Sequence, residues 1–469
     1  MIRSPLPAGL KTGILHLGLG AFHRAHQADY THDAIAASGG DWGIEAVSMR
    51  DPALAEVLAR QDGRFTLVER APEGPVSKEI TVIRHTHALP GNAAAVAARM
   101  ADPAIHVVTI TVTEKGYGAD VGARRLNRAD PAVAHDLAAP EEAPRSLAGL
   151  LCLGLGLRRA AGLDGLTLMS CDNLPDNGHV LRGIVLDHAG HTDPALSAWI
   201  AGHCTFPCSM VDRITPATTA ETLALAGGDP AAVETEPFRQ WVIEDAFAGP
   251  HPDWAAAGAL IVADVRPFET MKLRLLNGAH SFLAYAGALL GLEFVRDVMA
   301  DPLMARAVRR HMDSAAASLE PIPGFDPQAY IQALLDRFAN PAIAHRCLQI
   351  AMDGSQKLPQ RLFAPALDLA ARDLPFDSCA TATAVWLHFL AGRDAEGRTL
   401  PLVDPLADRL IEVTRLAGDD AGALVQGVGP LLGSVAETLW ARPGWQASLA
   451  RALVALRQDG LRPVLARGA

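Results

Sequence analysis

Four short apolar segments, separated by stretches with helical character, recur along the first 173 residues of the chain. They are GILHLGLG (13–20), WGIEAVSM (42–49), IHVVTITVT (105–113) and GLTLMSCDN (165–173). The third is rich in β-branched residues, which is typical of a strand buried on both faces of a sheet. Strands that alternate with helices in this way predict an α/β fold with a parallel, doubly wound sheet of the Rossmann type.

The second half of the chain has a different pattern. From about residue 270, long segments rich in helix formers replace the strands, and Pro and Gly residues separate them. They are KLRLLNGAHSFLAYAGALLGL (272–292), PAIAHRCLQIAM (341–352), SCATATAVWLHFLAGR (378–393) and PLADRLIEVTRLAG (405–418). We therefore expect two domains, residues 1–260 with the doubly wound sheet and residues 261–469 mostly α-helical.

Charge and hydropathy exclude several classes of partner. The net charge of −11 argues against nucleic acid, whose phosphates require a basic surface. Apolar runs stay short of the roughly 20 residues that span a bilayer, and the first residues lack the apolar core of a signal peptide. We expect a cytoplasmic protein without a membrane partner, as a monomer or small homo-oligomer. Its six cysteines form no CxxC pair, which predicts reduced, mostly buried thiols.

The first apolar segment ends in Gly18-Leu19-Gly20, directly before a helical stretch. Glycines at this point favour a tight turn and the close approach of a dinucleotide pyrophosphate. A purely structural turn is the alternative, because His23 stands where the GxGxxG pattern has its third glycine. On the first interpretation, the residues expected to contact the cofactor are Gly18, Gly20, Ala21, Phe22, Asp51 and Glu114.

Asp51 follows the second apolar segment, where a dinucleotide-binding fold places an acid that binds the ribose hydroxyls. It could equally cap the helix that begins near Pro52. The neighbouring Arg50 could accommodate a 2′-phosphate. We expect NAD as the cofactor, with NADP as the alternative.

The most informative polar residues are Lys272, Asn277 and His280, which interrupt a strongly apolar run. On an ideal α-helix, Asn277 lies about 140° and His280 about 80° from Lys272, so the three share one hemisphere. Burial disfavours the charged form of a lysine, and a neutral amine is a competent general base. An asparagine amide can donate a hydrogen bond to a developing alkoxide. The alternative is a core helix whose polar groups pair with one another.

His203, Cys204 and Cys208 are close in sequence and are the candidate ligands for a zinc ion. Zinc requires three or four convergent ligands, and these residues match neither the CxxC nor the HxxxH pattern. We therefore expect no metal.

Four motifs occur in one order over most of the chain: HLGLGAFHRAHQ (16–27), SCDNLPDNG (170–178), VDRITP (211–216) and KLRLLNGAH (272–280). Together they resemble the polyol-specific long-chain dehydrogenases, a family that includes mannitol 2-dehydrogenase and fructuronate reductase. The resemblance implies a Rossmann-type dinucleotide-binding domain at 1–260, a mainly helical domain for substrate binding and catalysis at 261–469, and a metal-free active site. A histidine at the third glycine position is typical of this family.

The resemblance also implies roles for individual residues. Lys272 matches the general base, and Asn173 and Asn277 match a pair of amides that bind the substrate oxyanion. His280 matches a histidine that orients the substrate, and Glu269 stands where a carboxylate helps protons reach the lysine.

Further residues are implied near the substrate. Asp212 and Lys357 match positions in the family's substrate site. The segments TVTEKGY (111–117), EPFRQWVIED (236–245) and MDGSQKLPQR (352–361) are more similar to the fructuronate reductase branch. Lys115 stands where mannitol enzymes tend to carry glycine; it could face the carboxylate of a hexonate, or it could be a solvated loop cation.

These observations predict a metal-independent oxidoreductase that transfers hydride between NAD(H) and an acyclic sugar derivative. The expected reaction interconverts D-mannonate and D-fructuronate. One alternative is a mannitol 2-dehydrogenase acting on D-mannitol and D-fructose, or another polyol dehydrogenase. An alternative of another class is a non-catalytic NAD-binding redox sensor, which would need the glycine loop but not the Lys, Asn and His set.

Overall fold

A computed structural model describes residues 6, 7 and 9–467 of the chain. It divides into two compact units, Met1–Arg266 and Pro267–Ala469.

The first unit contains all the strands of the described residues. In chain order they are β1 Thr12–Leu17, β2 Gly43–Ser48, β3 Phe65–Ala71, β4 Gly74–Ile80, β5 Ile83–Ala88, β6 Val107–Ile110, β7 Ala119–Asp120, β8 Arg125–Leu126, β9 Thr167–Ser170, β10 Ser209–Asp212, β11 Val233–Thr235, β12 Gln240–Glu244 and β13 Leu260–Val262. Its α-helices are Ala21–Ala25, Gln27–Ser38, Ala53–Arg60, Ala93–Arg99, Pro131–Ala138, Leu147–Ala160, Asn177–Thr192, Pro194–His203 and Ala220–Leu225. Short 3₁₀ turns cover Glu114–Tyr117 and Trp254–Ala257.

The central sheet has the order β5-β2-β1-β6-β9, and every pair in it is parallel. The four predicted strands are all present in it. Leu15 and Leu17 of β1 pack into one apolar core, whereas Ile14 packs into a second core. Because successive side chains of a strand point to opposite faces, both faces of the sheet are covered, and this explains the continuous apolar runs. The predicted doubly wound Rossmann-type fold is confirmed.

Three smaller sheets were not predicted: β10-β12-β13, β11-β3-β4 and β7-β8. Their strands are two to seven residues long and several are partly exposed, so they lack the long apolar runs of the central sheet.

The second unit is helical, as predicted; its described residues form only isolated bridges and no strand. Its α-helices begin with Arg266–Met271, which starts at the boundary, and continue with Gly278–Leu289, Val295–Met299, Pro302–Ala316, Pro327–Phe338, Cys347–Ile350, Gly354–Leu358, Ala364–Ala371, Asp377–Phe389, Ala407–Ala417, Ala421–Val428, Gly433–Trp440, Trp445–Asp459 and Leu461–Ala466. Two segments, Lys272–Asn277 and Pro359–Phe363, are π-helical, and Gly429–Leu431 is a 3₁₀ turn.

The helix predicted over 341–352 is mostly absent, since only Cys347–Ile350 is helical. Before it, Arg346 forms an antiparallel bridge with Phe294, and the Cys347 N–H donates to the Glu293 carbonyl. These tertiary hydrogen bonds hold the preceding backbone extended, which overrides the local helix propensity.

Two expectations from composition can be compared with the structure. All six cysteines are buried and free of disulfides, as predicted. Within the described residues, no helix has the length and apolar character needed to cross a bilayer.

Candidate active site

A cleft of about 770 Å³ lies in the first unit, where the chain leaves the carboxyl ends of β1, β2 and β6. In doubly wound sheets this is the edge at which ligands bind. The residues lining it include Gly18, Gly20, Ala21, Phe22, Arg50, Asp51, Thr113 and Lys115. The cleft thus brings together five of the six residues predicted to contact the cofactor.

The two loop glycines meet different constraints. Gly18 has φ +116°, and a Cβ there would lie 1.9 Å from the carbonyl oxygen of Thr111. A Cβ on Gly20 would meet nothing closer than 3.7 Å. Gly18 is therefore required by the loop backbone itself, whereas the missing side chain of Gly20 leaves space in the cleft.

Gly18→Ala is expected to destabilise the protein by at least about 2 kcal/mol and to weaken NADH binding, because the new methyl group strains φ and collides with backbone. The matched control, Gly20→Ala, should change stability by less than about 0.5 kcal/mol and still weaken NADH binding. Thermal unfolding and NADH fluorescence titration measure the two effects. Equal stability of both variants would contradict this interpretation of the loop.

His23, at the third glycine position, packs flat against His16 of β1 with ring centroids 3.4 Å apart. The His16 Nε2–H donates to the Gly18 carbonyl (3.0 Å), so Nδ1 accepts from the Thr109 hydroxyl (2.8 Å). Burial lowers the pKa of His16 to about 3 and that of His23 well below its usual value, so both rings are neutral. The helix that carries His23 ends nearby at Ala25, with His26 as its C-cap residue.

The structure shows Asp51 in the capping role and places its side chain at the cleft. Its Oδ1 accepts a hydrogen bond from the Ala53 N–H (2.9 Å) at the start of a helix, as the capping alternative predicted. The side chain is also exposed at the cleft, and Oδ2 has no partner among the described residues. A ribose hydroxyl could therefore use Oδ2 without displacing the cap. Arg50 is exposed beside it.

Asp172 is a positioning residue that the sequence analysis missed. Its carboxylate accepts hydrogen bonds from the N–H groups of Val112 (2.9 Å) and Thr113 (3.1 Å) and from the Tyr117 hydroxyl (2.7 Å). Thr113 has φ +70°, a strained value for a threonine. Asp172 thus holds the loop after β6 in a conformation that it would not adopt alone. Its place beside Asn173 in the SCDN motif was the available signal.

That loop carries two predicted residues. Lys115 is exposed and lines the cleft. Glu114, the sixth predicted cofactor residue, is also exposed but does not line it.

Asn173 and Asp212 lie near the ends of β9 and β10. Asn173 is exposed on the loop after β9, and Asp212 is the buried last residue of β10. Asn177 links these strands: its Nδ2 donates to the carbonyls of Ser170 (3.3 Å) and Ser209 (2.8 Å), and its Oδ1 accepts from the Ser209 N–H. A buried amide therefore fixes the backbone on either side of Asn173.

In the second unit, Lys272 and Asn277 are the first and last residues of a π-helical segment. The prediction of a regular α-helix here was wrong. In a π-helix the hydrogen bonds join residues five apart, so Asn277 is brought one turn from Lys272 rather than about 140° around the axis. Lys272 is 7% exposed and Asn277 is half-buried. Arg274 anchors the segment through the Ser318 carbonyl (2.8 Å) and Asp368 (2.5 Å).

His280 is buried two residues after the π-helical segment. Its ring stacks on Phe338 (4.3 Å between centroids) and meets the edge of His345 (5.4 Å). Burial, followed by the nearby His345, Arg337 and Arg361, lowers its pKa well below the usual value. The ring is therefore neutral, and within the described residues its buried Nε2 has no hydrogen-bond partner.

Two further predicted residues lie in this unit. Glu269 is half-buried on the preceding helix, three residues before Lys272. The Lys357 ammonium donates to the Met352 carbonyl (2.7 Å) and lies 3.7 Å from Asp353. Burial and the charge of Arg361 lower the pKa of Lys357.

The candidate zinc ligands His203 and Cys208 contact different residues in the structure. Exposed His203 contacts the Trp199 carbonyl, whereas Cys208 Sγ lies 3.4 Å from Nδ1 of His179. That nitrogen is 3.6 Å from Asp176, so Asp176, His179 and Cys208 form a group with metal-ligating atoms. Sequence spacing could not reveal it, because Cys208 is distant along the chain from the other two. Asp176 is also ion-paired with Arg124, whose positive charge opposes a cation there.

Comparison with known proteins covers both units. Residues 12–256 match the family described as the mannitol dehydrogenase Rossmann domain. Residues 264–429 match the mannitol dehydrogenase C-terminal domain.

Individual proteins are similar over most of their length. D-mannonate oxidoreductase of Escherichia coli (strain K12) is 44% identical over 407 residues, which cover 85% of this chain and 84% of that protein. A mannitol 2-dehydrogenase of Aspergillus fumigatus is 38% identical, with coverage of 89% and 86%. The solved ternary complex of Pseudomonas fluorescens mannitol 2-dehydrogenase with NAD and D-mannitol is 36% identical, with a TM-score of 0.80 over 99% of this chain and 96% of that one.

Proposed function

This chain belongs to the mannitol dehydrogenase family of oxidoreductases, and on that premise we propose that it interconverts D-mannonate and D-fructuronate with NAD(H), without a metal. The proposal assigns cofactor binding to residues 1–260 and substrate binding to residues 261–469.

The cleft of the first unit fits a dinucleotide. Gly18 and Gly20 allow close approach of the pyrophosphate, and Asp51 keeps one oxygen for a ribose hydroxyl. When bound, NAD supplies the acceptor for the hydride that leaves the carbinol carbon. Ala21 and Phe22 complete the expected contacts, and the exposed Glu114 remains a candidate contact.

In this proposal, side chains of the protein accept the proton of the reacting hydroxyl and stabilise the charge that develops on its oxygen. Lys272, in its neutral form, takes the proton of the reacting hydroxyl on Nζ. The amides of Asn173 and Asn277 donate hydrogen bonds to the same oxygen as it gains charge. His280 holds a neighbouring hydroxyl, and Glu269 passes the proton from Lys272 towards water. The substrate thereby loses a hydride and a proton and becomes a ketone.

The observation that carries this proposal is the set of Lys272, Asn277 and His280 on one buried stretch of helix, where His280 presents an unpartnered Nε2. A substrate hydroxyl would give this nitrogen the hydrogen-bond partner that buried polar atoms usually have. A redox sensor would not require this set.

The choice of a hexonate over a polyol is supported by the greater identity to D-mannonate oxidoreductase, 44% against 38% for the mannitol 2-dehydrogenase. The second candidate is oxidation of D-mannitol, which is favoured by the structural similarity to the complex that contains it.

The test is a panel of D-mannonate, D-mannitol and D-arabinitol, each with NAD and with NADP, before and after dialysis against a chelator. We expect NADH formation with D-mannonate and unchanged turnover after dialysis. Preference for D-mannitol would favour the second candidate, and loss of turnover on dialysis would overturn the metal-free mechanism. NADH binding without turnover of any member would favour the sensor.

A further inference from the structure

Arg361 is a half-buried cation that lacks a carboxylate partner. Its guanidinium donates one hydrogen bond, to the Ser281 hydroxyl (3.1 Å), and no carboxylate of the described chain lies within 4.0 Å of it. Three other arginines of the same unit have carboxylate partners: Arg274 pairs with Asp368, Arg346 with Glu293 and Arg398 with Asp394. A charge removed from water is costly unless it is paired, so the missing partner needs an explanation.

Arg361 lies beside the residues assigned to the substrate. It belongs to the π-helical segment Pro359–Phe363, and its carbonyl oxygen would lie 2.9 Å from a Cβ on Gly278. Its partner Ser281 directly follows His280, whose pKa the Arg361 charge helps to lower. The two π-helical segments therefore touch next to Asn277, and the guanidinium is within electrostatic range of the histidine that orients the substrate.

Charged residues of both signs lie near Arg361. Lys357 precedes it by about one helical turn, and burial, followed by the charge of Arg361, lowers the pKa of Lys357. The nearby Asp353 lies 3.7 Å from Lys357 and offsets one of these charges. Asp404 is engaged by the N–H and hydroxyl of Ser355 (2.8 and 2.6 Å). Neither carboxylate lies within 4.0 Å of the Arg361 guanidinium, so an anionic group of a ligand could pair with it directly.

We propose that Arg361 binds the carboxylate of an aldonate substrate, and that it is the residue by which this protein prefers sugar acids to uncharged polyols. The inference rests on the proposed function and identifies Arg361 as the side chain that binds the substrate carboxylate. A guanidinium matches a carboxylate with two parallel N–H donors, and hydrogen bonds between charged groups are about twice as strong as neutral ones. Burial strengthens them further; the exposed ammonium of Lys115 lacks that advantage.

The experiment compares kcat/KM for D-mannonate with that for its neutral amide, D-mannonamide, since the two differ in charge and not in carbon skeleton. We expect the native enzyme to prefer the acid by about 10–100-fold and Arg361→Gln to abolish that preference, mainly through KM for the acid. Arg361→Lys should restore part of it. Arg309→Gln, which removes an exposed arginine from helix Pro302–Ala316, is the matched control and should keep the native preference. NADH binding and thermal unfolding verify that each variant is folded.

Three results would overturn the inference. Retention of the preference in Arg361→Gln would place the carboxylate elsewhere, and its loss in Lys115→Gln instead would identify Lys115. An equal loss of kcat/KM for acid and amide would make Arg361 a positioning residue acting through Ser281 and His280. Native enzyme that oxidises polyols and no aldonate would refute the proposed function itself, an outcome distinct from a native preference that Arg361→Gln leaves intact.

Discussion

Lys272→Ala is expected to lower kcat by about 10²–10⁴-fold, the range that a well-placed general base contributes. The reason lies in the proposed mechanism, in which, without Nζ, the proton of the reacting hydroxyl has no acceptor beside it. Lys272 is 7% exposed, so bulk water does not easily take its place. NADH binding should be nearly unchanged, because the residues that line the cofactor cleft lie in the first unit.

Steady-state kinetics at neutral pH with D-mannonate measure the effect, and NADH fluorescence titration gives the control. A small primary amine added to Lys272→Ala should restore part of the turnover, because it supplies the missing base without altering the backbone. Lys272→Ala with near-native turnover would eliminate the lysine mechanism and leave the family assignment untouched.

Arg213→Met is expected to produce the largest loss of stability, about 3–5 kcal/mol. The Arg213 side chain is fully buried and pairs with Asp29 (2.7 Å) and Glu69 (2.8 Å). It also donates to the carbonyls of Ala25 (2.6 Å) and Glu236 (3.1 Å). Removing the guanidinium takes one of two cations from each buried carboxylate, since Arg239 still pairs with Asp29 (2.6 Å) and Lys78 with Glu69, and it leaves two buried carbonyls without their donor.

The measurement is thermal unfolding, in which this loss corresponds to a fall in Tm of about 6–20 °C for the first unit. Lys11→Met, which breaks an exposed ion pair with Asp41, is the control and should shift Tm by no more than about 2 °C. Similar shifts for both variants would mean that burial does not set the strength of these pairs.

Because Asp212 precedes Arg213, we also expect Arg213→Met to raise KM for the substrate.

Much of the fold was predictable because its signals are local. Four of the five strands of the central sheet each carry an apolar run, and Gly18 has a backbone that only glycine adopts without strain. The order of four motifs is sufficient to indicate the family to which the chain belongs. These signals depend on residues next to one another in the chain, so sequence alone is sufficient for them.

The π-helical segment at Lys272–Asn277 was not predictable from periodicity. A single extra residue in a turn leaves the apolar pattern almost intact, yet it changes which side chains lie one above the other. The same holds for residues 341–352. Their sequence pattern predicts a helix, but hydrogen bonds with a distant part of the chain hold the backbone extended instead.

By itself, the sequence determined four strands of the central parallel sheet, the helical second half and the glycine loop after β1, since each depends on spacing along the chain. Only the tertiary structure decided which charges are neutralised. Arg213 forms an ion pair with Asp29, which is 184 positions away in the chain. Arg361 has no carboxylate partner among the described residues, and nothing in the sequence distinguishes these two arginines. Coulomb interactions act through space, so compensation of a charge is decided where the chain brings groups together.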